Sequence, residues 1–181
     1  VMRQIRAKFP GLKIHLIGHS FGGRLVTAAA DGPANQPPIK PNSMTLLQAA
    51  FSHNGFAEKF DQSHDGFFRK VVTDRKVSGP IVITYTKNDN AVGLMYPLAS
   101  LIAGQNASKI GDANDPYGGI GRNGAQKTPE AVNGILGSVG STYQFQSTKL
   151  YNLNSDTSIT GHSDIAKNEV AYALLTAVAT T

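Results

Sequence analysis

The chain has 181 residues, 40% hydrophobic and 16% charged, which is one domain's worth and enough for a real core. No apolar run approaches the roughly 20 residues of a membrane helix, and the absence of cysteine excludes disulfides, thiolate metal sites and a cysteine nucleophile. A net charge of +5 raises the question of nucleic acid, yet the Lys and Arg residues are scattered, with Arg69-Lys70 and Arg75-Lys76 as the longest basic cluster. The excess reads as solvated surface, and no nucleic-acid partner is expected.

Met2, Ile5 and Phe9 recur at helical spacing and Pro10-Gly11 ends the helix. Three charges and no apolar block within the first nine residues do not make a signal peptide. The chain opens on Val1 within this predicted helix, so the expectation is a piece of a longer protein, and the compartment is left open with the cytoplasm as default. Residues 13–18 predict a short apolar strand, and a helix starting near Phe21 uses Leu25, Val26, Ala28 and Ala29 until Asp31-Gly32-Pro33. Four prolines make 31–43 a loop. Strands are predicted over 44–50, 80–86 and 149–153, with a helix around 67–74 and another over 92–103. Residues 104–141 read as long loop with one helical turn near 129–136, and Ile165, Val170, Leu174 and Val178 mark a final amphipathic helix. Helix and strand alternate, which predicts a three-layer α/β/α domain over 1–181 on a mainly parallel sheet, with four strands countable.

Gly18-His19-Ser20-Phe21-Gly22 lies between the first strand and the second helix. A serine hydroxyl needs a base to take its proton and a turn that exposes its oxygen. The G-x-S-x-G pattern supplies that turn, because small residues two before and two after the serine let strand and helix approach closely. Through residues 14–23 the sequence resembles the α/β-hydrolase family. The resemblance implies a Ser…acid…His order, with the acid after a later strand and the histidine in a loop before the last helix. It covers the C-terminal half to two thirds of that fold, so the early strands and the loop bearing a second oxyanion donor are not seen in these residues. The uncovered sheet edge is expected to associate with something, if only the rest of its own fold.

Asp89 follows the 80–86 strand at the edge where parallel sheets place their sites, and is the candidate acid. Glu58, Asp61 and Asp65, after the 44–50 strand, are its rivals. His162, in Thr160-Gly161-His162-Ser163-Asp164 between the last strand and the last helix, is the candidate base. His15 lies within a strand, and His53 and His64 precede the acid. Phe21, first in the helix after the serine, offers its backbone N–H to an oxyanion. His19, Phe51 and His53 are candidates for contacting substrate. Five of the eight phenylalanines fall between 51 and 68, so the 51–79 segment reads either as a cap over an acyl pocket or as ordinary packing.

The expected activity is hydrolysis of a carboxylic ester or related acyl bond in a small-molecule substrate, through Ser20, His162 and Asp89, with no cofactor and no metal. The other reading is a hydrolase-like module that binds without catalysis. Gly119-Ile120-Gly121-Arg122-Asn123-Gly124 matches G-x-G-x-x-G, but follows no strand and opens no evident helix, so a dinucleotide site is not expected. Asp112, Asn114 and Asp115 fail the spacing of a calcium loop, and the Asn106 sequon has no supporting context.

Overall fold

β-Branched and aliphatic runs bounded by Pro, Gly and Asn become strands that can be buried on both faces. In the computed structural model, which describes residues 1–95 and 118–181, these are β1 (His15–His19), β2 (Ser43–Leu47) and β3 (Ile81–Tyr85), followed by β4 (Ala131–Ile135) and β5 (Leu150–Asn154). All pairings are parallel, in the order β1-β2-β3-β5-β4. The helices are α1 (Met2–Lys8), α2 (Phe21–Asp31), α3 (Arg69–Thr73), α4 (Ile120–Asn123) and α5 (Asn168–Ala179), with a π-helical turn at Ala91–Met95.

The period of two along each strand divides the core between the faces of the sheet. Met44, Leu46, Ile81, Ile83 and Leu150 join Ala30 of α2, Val71 and Val72 of α3, and Phe51, Phe56 and Phe68 on one face. Leu47, Val82, Tyr151 and Leu153 meet Val170, Ala173 and Ala177 of α5 on the other, with Phe145 and Ile159. Helices therefore cover both faces, and α1 contributes no buried residue.

Three expectations are corrected. The region near 129–136 is strand β4, not a helical turn, and among the described residues the sheet has five strands rather than four. Ala131-Val132-Asn133-Gly134-Ile135 contains Asn and Gly, which strands disfavour, and as an edge strand it leaves Val132 and Ile135 exposed. Pairing with β5 decides its conformation. The glycine motif at 119–124 does open a helix, the single turn α4. Its Gly121 is packed so closely that a Cβ there would lie 2.4 Å from the Gln48 backbone carbon, so this glycine serves packing against the end of β2. Most of the helix expected over 92–103, with Asn106, Asp112, Asn114 and Asp115, lies outside the described residues.

The 51–73 segment is tied to the loop before β4 by Arg69. Its guanidinium, 9% exposed, forms a two-pronged pair with Glu130 at 2.6 and 2.7 Å and also donates to the Phe56 carbonyl. Hydrogen bonding from Arg69 holds the Glu130 carboxyl below its ordinary range. Removing that charge would leave the buried cation opposed by the more distant Glu58 carboxylate at 3.9 Å. Glu130→Gln is therefore expected to cost about 2 kcal/mol in urea unfolding at neutral pH. Because the folded-state value is depressed, this contribution is present above the carboxyl's unfolded value. It is lost as pH falls through the folded one, so the gap between Glu130→Gln and the parent should close on acidification.

Candidate active site

The chain reverses between β1 and α2 at Ser20, whose φ of 55° and ψ of −128° lie where a residue with a Cβ is strained. Neighbouring backbone holds the strain. The Ser20 N–H donates to the Leu47 carbonyl at 3.1 Å, and its own carbonyl accepts from Gly23 at 3.0 Å and Ala50 at 2.9 Å. A Cβ on residue 18 would lie 2.4 Å from the Gly22 carbonyl oxygen, and one on residue 23 would lie 2.4 Å from the Ala49 Cβ. A Cβ on Gly22 would meet nothing within 4 Å among the described residues. The steric demand thus falls on Gly18 and Gly23 and not, as the five-residue pattern implies, on Gly18 and Gly22.

Asp89 lies beyond β3 and is fully buried. One carboxylate oxygen accepts from the Val92 N–H at 2.9 Å and the other lies 2.8 Å from His162 Nδ1. On the far side of the same ring, His162 Nε2 is 2.9 Å from Ser20 Oγ. An ionised carboxylate only accepts, so Nδ1 carries the imidazole proton and Nε2 is left to accept from the serine hydroxyl. The three side chains follow the C-terminal ends of β1, β3 and β5; β1 and β3 are registered through β2, and β3 pairs with β5 directly. Such a chain of hydrogen bonds can carry a proton away from Ser20 Oγ while a buried negative charge faces the resulting imidazolium.

Phe21 is first in α2, ahead of the helical ladder, so its N–H has no intrahelical acceptor, and its ring is exposed. His19 does not stand clear as a substrate contact: its Nε2 lies 2.8 Å from the His162 backbone carbonyl, with the two rings 4.7 Å apart. Phe51 belongs to the core, edge-on to Phe56 and Phe68, although with Arg24, Ser52, Gly55 and Phe67 it borders a cavity of about 100 Å³. His53 is buried, with Nδ1 3.0 Å from the Asn123 amide. The rival acids are engaged elsewhere. Glu58 faces Arg69, Asp65 accepts from the Lys59 N–H, and Asp61 is held well below the carboxyl range chiefly by the His64 backbone N–H. His64 pairs with Asp61, and His15 with Ser43.

A polar lattice that sequence reasoning missed joins the loops carrying Asp89 and His162. The Thr86 hydroxyl lies within hydrogen-bond distance of the Asp156 carboxylate and the Ile159 carbonyl, and the Asn88 amide donates to the Asp156 and Ile159 carbonyls. Burial opposes charge on Asp156, but bonds from the Lys87 N–H, Thr86 and Asn154 outweigh it and hold its carboxyl below the ordinary value. Nearer the histidine, Asp164 accepts from both the backbone N–H and the hydroxyl of Thr160. Chiefly through that backbone bond its carboxyl is lowered to about 2. The signal in the sequence is the run of Asn, Asp and Ser after two strands, which marks side chains that bond to loop backbone. Which loop each one serves is a tertiary matter. Among the described residues no cluster of His, Asp and Glu could hold a metal ion, and no helix is long and apolar enough to cross a membrane.

Residues 1–88 match the family model described as the alpha/beta hydrolase fold. The parallel sheet covered by helices on both faces is a three-layer α/β/α architecture, in agreement with that match over the first 88 residues. The matched stretch contains Ser20 and ends one residue before Asp89, so Asp89 and His162 stand as candidate acid and base on the geometry above. No curated protein and no solved structure matches the chain.

The glycine geometry has a direct consequence for stability. Gly18→Ala forces backbone against backbone and should cost about 3 kcal/mol in chemical unfolding. Gly22→Ala, inside α2 with room for a methyl group, should leave stability unchanged or raise it by about 0.5–1 kcal/mol. Equal losses for the two variants would contradict this account of the turn.

Proposed function

We propose that the protein is a serine hydrolase that cleaves a carboxylic ester or related acyl bond of a small-molecule substrate through an acyl-enzyme. The observation that carries the reading is the unbroken series of contacts from Ser20 Oγ through both nitrogens of His162 to the buried Asp89 carboxylate. In this mechanism His162 Nε2 takes the hydroxyl proton as Oγ adds to the acyl carbon, and Asp89 stabilises and orients the imidazolium. The proton passes to the leaving alkoxide, whose bond to the acyl carbon breaks. Water, deprotonated by the same Nε2, then adds to the acyl-enzyme, and the carboxylic acid departs as the proton returns to Ser20. The Phe21 N–H, at the start of α2, is the proposed donor to the developing oxyanion, where its partial charge is most useful.

Exposed apolar side chains on α2 and at the cavity beside Arg24 suit an apolar acyl or alcohol group. Phe21 and Leu25 lie on the outer surface of α2, and Phe67 borders the small cavity beside Arg24. His162 is 21% exposed, which leaves the base reachable by water and substrate.

A fluorophosphonate probe should label the chain at Ser20. Labelling should vanish in Ser20→Ala and fall steeply in His162→Ala. Asp89→Asn should lower turnover of a p-nitrophenyl ester by about three to four orders of magnitude, through loss of the tautomer that leaves Nε2 bare. A folded chain that neither labels nor hydrolyses would instead mark a binding module.

A further inference from the structure

The loop that carries His162 is anchored at two places away from the histidine. Thr86 and Asn88 reach the Ile159 carbonyl, and Asp164 closes a turn on Thr160. At residue 162 itself, among the described residues, the hydrogen bond to the backbone is the one from His19. A carbonyl oxygen can only accept, so His19 Nε2 must carry a proton to make the 2.8 Å contact. The same ring lies against the imidazole it helps to place, with centroids 4.7 Å apart and planes inclined by 38°. His19 is the last residue of β1, bonded covalently to Ser20 and registered opposite Leu47 of β2. Its reach spans 143 positions of sequence.

We propose that His19 is a positioning residue for His162, its Nε2–H holding the His162 backbone carbonyl while its ring braces the imidazole. The strand that presents the nucleophile thereby also sets the place of the base. Nucleophile and base otherwise sit on separate loops that must agree to well under 1 Å, and misplacement of that size can reduce turnover by about a hundredfold. A grip from the residue beside the nucleophile makes the distance between Ser20 Oγ and His162 Nε2 a local quantity. It does not depend on errors accumulated across the width of the sheet. The second position of the G-x-S-x-G pattern is here a structural part of the site and not a free surface for substrate.

The inference rests on the hydrolase reading for its kinetic consequence and not for its geometry, so two measurements separate them. Nitrogen-15 NMR of the unmodified chain should find the proton of His19 on Nε2, and a bare Nε2 would overturn the proposal whatever the protein catalyses. In ester hydrolysis, His19→Phe keeps a ring without the donor and should lose about tenfold in kcat, with KM changed by less than about twofold. His19→Gln restores an N–H donor at similar reach and should recover most of the loss. An unchanged kcat in His19→Phe, or an effect confined to KM, would make His19 a bystander or a substrate contact and would overturn the proposal. If the parent chain hydrolyses no ester, the hydrolase reading fails and the proton position on His19 alone decides this one.

Discussion

The backbone of Ser20 is held in a strained turn by a strand it does not belong to. Its N–H reaches Leu47 and its carbonyl receives the N–H of Ala50, so β2 and the residues after it clamp the junction of β1 and α2 from both sides. This clamp exists only because β1 and β2 are parallel and registered His19 to Leu47. The same register continues through Leu47 to Thr84 in β3 and from Tyr85 to Asn154 in β5. Four strands therefore end at one level, and the loops that leave them converge on a single edge of the sheet, where open parallel sheets hold their sites.

Convergence alone would not set side chains to within hydrogen-bond distance. Loops carry polar backbone groups that need partners and otherwise wander. Here Thr86, Asn88 and Asp156 supply partners that join the acid's loop to the base's loop, Asp164 closes the turn around the histidine, and His19 bridges from the nucleophile's strand. Each bond adds little to stability by itself. Together they restrict the freedom that would let Ser20, His162 and Asp89 drift apart, and so hold the geometry on which the proposed hydrolysis depends.

The strands with β-branched or aliphatic runs were legible because burial on both faces demands uninterrupted apolar sequence, as in Ile81-Val82-Ile83. β4 was not, because an edge strand pairs on one side and tolerates the Asn133 and Gly134 that a central strand would reject. The serine, the acid and the histidine could be nominated from their positions relative to strands and helices. Position after a strand favoured Asp89 as the acid but left Glu58, Asp61 and Asp65 as rivals, since they too occupy loop-like sequence. The structure distinguishes them by partner: Arg69, the Lys59 N–H and His64 engage those three, and His162 lies against Asp89. Phe51 and His53 show the opposite limit, because aromatic character is the same in a core as in a pocket wall, and both are buried.

By itself the sequence determined what local chemistry can determine: an alternating α/β chain, a glycine-flanked serine on a strand-to-helix turn, and an acid and a histidine after later strands in the order such a site requires. Periodicity, turn residues and motif spacing act over a few residues and are readable at that range. Only the tertiary structure decided that Gly23 and not Gly22 bears the close approach, that the motif's own histidine reaches across to the loop of His162, and that polar residues after β3 and β5 lock two loops together. Those facts depend on which strands pair and in what register, a property of contacts between segments far apart in the chain that no local window of residues contains.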